Sequence, residues 1–204
     1  MTQAGYITGP LHVGLDSKSE KIMFIVAGFN GAGKTTAFRS SLYESQGQPV
    51  FINPDEIARR LCPEDVERVQ AAAGRRALES LQKHLDGDAS FCVETTLATR
   101  VYQGYINQAH RKGFKVALFY YWLDSPELAV ARVEQRVIEG GHNVPESIIR
   151  ERYHKSVRYL ASLYIPKVDY WKIVNNSGMI QREIATSVTV VSNQEQYDQL
   201  LRNG

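Results

Sequence analysis

Cysteine is scarce in this sequence: only Cys62 and Cys92 occur in 204 residues, and neither stands in a CxxC or metal-ligand spacing. A disulfide-stapled scaffold is therefore excluded, and Cys92 is expected as a buried strand residue. No histidine spacing suggests zinc. Long apolar runs are missing too. No stretch approaches the roughly 18 to 20 residues that span a bilayer, and the opening MTQAGYITGPLHVG lacks the basic-then-apolar order of a secretory leader. A cytoplasmic chain without membrane contact is the expectation. Charge of one sign is also lacking. The formal +2 is too small to imply nucleic acid, although an anionic small molecule needs only a local basic cluster.

The length suits one α/β domain with a sizeable core. Residues 1–20 are polar, rich in glycine and without a sustained period, and are read as an N-terminal arm. Lys21 to Phe29 is a nearly continuous apolar run, as a strand covered on both faces requires. A helix over Lys34 to Gln46, a strand over Val50 to Asn53 and a helix opened by Pro54 follow. A longer helix is expected over Glu64 to Leu85, then a strand over Ser90 to Val93 closed by Glu94-Thr95-Thr96. A helix over Arg100 to Arg111 and a strand over Lys115 to Leu123 come next. Ser125-Pro126-Glu127 opens another helix to about Glu139. Helix resumes over Pro145 to Leu160, and Asp169 to Val174 is a fifth strand. A short strand pair near Met179 to Ile184 and Ser187 to Val191, then a helix from Gln194 to Leu201, complete residues 179–204 on the same domain. Strands alternating with helices predict a mostly parallel five-stranded sheet with helices on both faces.

Gly28-Phe29-Asn30-Gly31-Ala32-Gly33-Lys34-Thr35 matches the phosphate-binding pattern GxxxxGK[ST], set between an apolar strand and a helix. Small residues let the backbone wrap a phosphate so that amide hydrogens and the helix start face its charge. Gly28, Asn30, Gly31, Ala32, Gly33, Lys34, Thr35 and Thr36 are thus the candidate nucleotide contacts. Lys34 is expected to bridge the β and γ phosphates and Thr35 to place its hydroxyl on magnesium. Asp55 follows the second strand, where parallel strands end side by side at a binding crevice. It is the candidate base for a substrate hydroxyl, with a helix cap as the alternative. Glu94 ends the third strand, where an unpaired carboxylate would be costly if buried. Its expected role is to bind substrate hydroxyls or to hold a magnesium-bound water, a role open to Asp55 as well. Thr95 and Arg100 are further candidate substrate contacts.

Arginines recur at 132, 136, 150, 152 and 158, with His142 and His154 between them. Arg132 and Arg136 share a helix face, and guanidinium forks suit phosphate oxygens. With Gly140-Gly141 as a hinge, residues from about 132 to 158 read as a lid that excludes water from a reacting phosphate. His142 is read as a loop contact rather than a base.

Through GFNGAGKTT, NPDEIARRL, ETTLATR, LDSPELAVARVEQRVIEGGHNVP and the closing NNSG, residues 21–178 resemble the zeta-toxin family of P-loop kinases, in particular its compact bacterial branch. The resemblance implies a P-loop NTPase fold in three α/β/α layers, nucleoside-kinase-like, with a helical lid. It implies that Asp55 is the catalytic base, that Glu94 binds a sugar-nucleotide substrate, and that Arg136 and Arg152 contact the phosphates. It further implies ATP (or GTP) and magnesium as cofactors, phosphoryl transfer to a hydroxyl of UDP-N-acetylglucosamine or another small acceptor, and an antitoxin protein as a partner. The competing reading is a nucleotide-binding ATPase switch acting on a protein partner. A nucleic-acid 5′-kinase would want a longer basic path.

Overall fold

The computed structural model describes residues 20–37, 49–188 and 191–203. The expected arm up to residue 19 and the first helix beyond residue 37 lie outside the described residues. The strands are β1 (Ile22–Ala27), β2 (Val50–Ile52), β3 (Phe91–Thr95), β4 (Lys115–Trp122), β5 (Tyr170–Asn175) and β6 (Arg182–Thr186), and they form one sheet in the order β2-β3-β1-β4-β5-β6. All neighbouring pairs are parallel except β5 with β6. Every residue of β1 is buried, because helices cover both faces of a central parallel strand.

The helices are α1 (Lys34–Ala37), α2 (Pro54–Leu61), α3 (Gln70–Leu85), α4 (Tyr102–Arg111), α5 (Pro126–Ile138), α6 (Glu146–Tyr159) and α7 (Gln194–Arg202). Their starts follow local chemistry. The Asn53 side chain accepts the amides of Asp55 and Glu56 ahead of α2, and Ser125 Oγ accepts Leu128 N at 3.2 Å ahead of α5. Pro126 and Pro54 take first-turn positions where no amide is needed.

The structure corrects three expectations. The sheet has six strands rather than five, since β6 joins it antiparallel to β5. Of the expected C-terminal strand pair, the first strand is β6, shifted to Arg182–Thr186, and the second, near Ser187 to Val191, lies partly outside the described residues. Met179 and Ile180 are exposed, and Ile184 and Ala185 are the residues that enter the core. The long helix α3, expected from Glu64, starts at Gln70, after a 3-10 turn over Glu67–Val69. Helix α6 is anchored to the sheet: Tyr153 OH donates to Leu123 O at 2.9 Å, and Tyr120 OH shares a 2.7 Å hydrogen bond with Ser156 Oγ. Residues 139–145 join α5 to α6 without helix.

Candidate active site

Parallel register brings the sequence-distant candidates to one edge. Ala27 pairs with both Thr95 and Tyr120, and Ile52 pairs with Val93, so the residues after β1 and β2 lie beside Glu94. The loop after β1 then turns on glycine. Gly31 has φ 82°, and a Cβ there would lie 2.6 Å from Ala129 O. At Gly28, φ 141°, a Cβ would lie 2.3 Å from Tyr121 O. Only glycine fits either place. Asn176 Nδ2 donates to Ala32 O at 2.8 Å and braces the loop from the end of β5.

Lys34 is buried and donates from Nζ to Phe29 O at 3.0 Å, with Glu94 Oε1 3.8 Å away. Thr35 Oγ1 donates to Glu94 Oε2 at 2.7 Å, and Asn53 Nδ2 donates to the same oxygen at 3.0 Å. Burial pushes the Lys34 ammonium pKa down against the pull of the Glu94 and Asp55 carboxylates. Burial likewise pushes Glu94 up, opposed by Lys34 and the Thr35 hydroxyl. Mutual attraction thus does not make up for lost solvation in this pair, and a bound anion facing Lys34 would favour its charged form.

Asp55 sits in the first turn of α2, with its Oδ2 3.8 Å from His142 Nε2. Three cavities converge here. One of ≈ 330 Å³ is lined by the phosphate-loop residues with Thr36, Glu94, Arg59, Arg132 and Arg136. A second, ≈ 290 Å³, lies under His142 and Ile148, and a third, ≈ 210 Å³, runs along Glu94, Thr95, Thr99 and Tyr102. Asn30 and Asp55 line all three.

The arginines divide. Arg136 donates to His142 O at 3.0 Å while its buried Nε has no hydrogen-bond partner among the described residues. Arg152 donates to Asn30 Oδ1 at 2.9 Å and Arg132 to Ser177 O at 2.9 Å. Arg150 faces outward in ion pairs with Glu127 and Glu146, and Arg158 lies over the Tyr159 ring. Arg100 precedes α4, is exposed, stacks over Tyr159 and does not line the three cavities. Thr95 does line the third cavity, and its Oγ1 accepts Leu97 N at 3.0 Å. Sequence reasoning assigned no site role to Asn53, Arg59, Gln70 or Tyr102. Asn53 was signalled as the residue before a helix-opening proline. The others had no local mark.

The residues fit a phosphate-bearing nucleotide with magnesium. The glycine cradle leaves no room for side chains, the buried Lys34 cation and the Arg136 guanidinium group line the cleft, and the groups beside Lys34 are hydroxyl and carboxylate oxygens, which suit a hard cation. Among the described residues no three His, Cys, Asp or Glu side chains gather into a metal cage. A magnesium ion there would take the rest of its ligands from phosphate and water. No helix among the described residues is long and apolar enough to cross a membrane.

The family model described as zeta toxin matches residues 12–183. An uncharacterized protein of Haemophilus influenzae is 31% identical over 126 residues, which are 62% of this chain and 88% of that protein. Among solved structures, the AvrRxo1-ORF1:-ORF2 complex with ATP is similar at a TM-score of 0.69 and 18% identity, over 91% of this chain. This chain covers 65% of that one, less than two thirds of its length. A structure from the PezAT toxin-antitoxin system of Streptococcus pneumoniae is similar at 0.62 and 20% identity, over 95% of this chain and 88% of that chain. At these identities the structural likenesses show the fold, that of P-loop kinases.

Proposed function

The chain belongs to the zeta toxin family, and on that premise we propose that it is a nucleoside-triphosphate-dependent phosphotransferase. It moves the γ-phosphoryl group of ATP, or GTP, to a hydroxyl of a small molecule, with UDP-N-acetylglucosamine the first acceptor to test. The observation that carries this reading is the meeting of a carboxylate, Asp55, with Lys34, Glu94 and Arg136 at one cleft.

In this reading the loop amides and Lys34 hold the triphosphate, and Arg136, Arg152 and Arg132 hold its oxygens as negative charge redistributes. Glu94, with Thr95, binds the acceptor. Asp55 accepts the proton of the acceptor hydroxyl as that oxygen bonds to the γ-phosphorus and the bond to the bridging oxygen breaks, releasing the nucleoside diphosphate. Magnesium, held by the Thr35 hydroxyl and through water by Glu94 or Asp55, would neutralise phosphate charge. The linker 139–145, between the arginines, excludes water.

The test is turnover of ATP with magnesium, with and without UDP-N-acetylglucosamine, following both ADP and a phosphorylated sugar nucleotide. Product that disappears in Asp55→Asn, with ATP binding intact, supports the reading. ADP release without phosphorylated product removes that acceptor, and hydrolysis changed only by a protein partner favours the switch reading. The similar AvrRxo1-ORF1 and PezAT structures, described as a two-component complex and as part of a toxin-antitoxin system, make an antitoxin the first such partner to try.

A further inference from the structure

The linker 139–145 is built around one side chain. Gly140 has φ 88°, and Gly141 N donates to Arg136 O at 2.8 Å, closing the end of α5. A Cβ at Gly141 would lie 2.6 Å from Arg136 Cγ, so the chain curls tightly against that arginine. Arg136 then donates to the His142 carbonyl at 3.0 Å, and Val144 is buried on the far side. The result turns the His142 ring inward. Its side chain is only 7% exposed, and Nε2 stands 3.8 Å from Asp55 Oδ2.

That separation is about 1 Å beyond a hydrogen bond, so in this state the contact gives His142 little reason to be buried. A neutral imidazole can donate a hydrogen bond to a carboxylate without adding the full positive charge that would weaken it as a base. The linker meanwhile is tied to the nucleotide site through Arg136, which donates to His142 O and also lines the phosphate cleft.

We propose that His142 is a positioning residue for Asp55: when the linker tightens over bound nucleotide, Nε2–H bonds one carboxylate oxygen and leaves the other facing the acceptor hydroxyl. The base is thereby ordered only once the phosphates are in place. This rests on the phosphotransferase reading above, and its test has an arm that needs no turnover.

In that arm, imidazole nitrogen NMR of the full chain is recorded with and without a non-hydrolysable ATP analogue and magnesium. His142 is expected to hold its proton on Nε2, with that resonance moved by the analogue in wild type and unmoved in Asp55→Asn. A resonance indifferent to the analogue, or moved equally in Asp55→Asn, overturns the proposal even if the enzyme is a kinase. In the kinetic arm, with UDP-N-acetylglucosamine, His142→Ala should lower kcat about tenfold to a hundredfold. KM for ATP should stay within about twofold, and His142→Gln, which keeps an amide donor, should recover most of the rate. Equal loss in both variants together with lost ATP binding marks a merely structural histidine, and an unchanged His142→Ala rate also overturns the proposal. Wild-type protein that phosphorylates no acceptor while the resonance behaves as expected counts against the kinase reading and leaves the His142 contact standing.

Discussion

Asn53 joins Glu94 to the helix that carries Asp55: its Nδ2 donates to Glu94 Oε2 at 3.0 Å while its Oδ1 accepts Asp55 N at 2.8 Å. One amide side chain therefore sets the spacing between the candidate substrate carboxylate and the candidate base. Asn53→Ala removes the cap of α2 and one of the hydrogen bonds to a buried carboxylate. The expected loss is about 1–3 kcal/mol of stability, read by urea unfolding, with a fall in kcat larger than any change in ATP affinity.

Glu94 gives a pH signature. Its carboxyl has a raised pKa in the folded chain, first because of burial, so the folded state binds its proton more readily than the unfolded chain, whose carboxyl titrates at the ordinary 4.5. Stability from this group is fully present below that value and is lost as pH rises through the folded pKa. Glu94→Gln should flatten that decline, measured as unfolding free energy from about pH 4 to pH 8. A variant with the wild-type slope would contradict the assignment.

Lys34 works in the opposite sense. Its folded pKa is depressed below 10.5, chiefly by burial, so stability from it is lost as pH falls from that value through the folded one. Near neutral pH both members of the pair cost stability in the nucleotide-free protein. Lys34→Met combined with Glu94→Gln should melt at least as high as wild type while losing ATP binding, seen by calorimetry and thermal unfolding.

Gly31→Ala places a Cβ 2.6 Å from Ala129 O at φ 82°. The strain is about 1–3 kcal/mol, and relieving it moves the loop amides. ATP binding by titration calorimetry should weaken by more than about tenfold.

Arg136→Ala should reduce kcat by about a hundredfold to a thousandfold if its guanidinium holds phosphoryl oxygens. Arg150, whose partners Glu127 and Glu146 lie on the surface, provides the control. Arg150→Ala should leave both the thermal unfolding midpoint and turnover essentially unchanged, since exposed ion pairs contribute little.

The phosphate loop, Asp55 and Glu94 were legible because each sits at the end of an apolar strand, and parallel strands finish together. The helix starts at Pro54 and Pro126 were legible for a local reason, proline following a capping side chain. The contact of Thr35 with Glu94 joins residues far apart in the chain, and it exists only because β3 inserts between β1 and β2 in the sheet. No local pattern carries that order. Arg100 shows the converse. It was expected to open a helix over Arg100 to Arg111 and to contact substrate, but α4 begins at Tyr102 and Leu97 takes φ 60°. That left-handed residue redirects the chain, and Arg100 comes out over Tyr159. The strand expected from Met179 starts only at Arg182: the apolar Met179 and Ile180 read as strand residues, but they are exposed, and the sheet edge takes Arg182–Thr186.

The brace from Asn176 to Ala32 O spans from the end of β5 to the loop after β1, with β4 between those strands. The nucleotide loop is consequently not a portable cassette. Grafted with β1 and α1 alone onto another sheet, it would keep its glycines and Lys34 but lose the amide that fixes Ala32 O. Any chimera or truncation ending before Asn176 should therefore be judged by whether it still closes the loop, since both halves of the chain write that part of the protein.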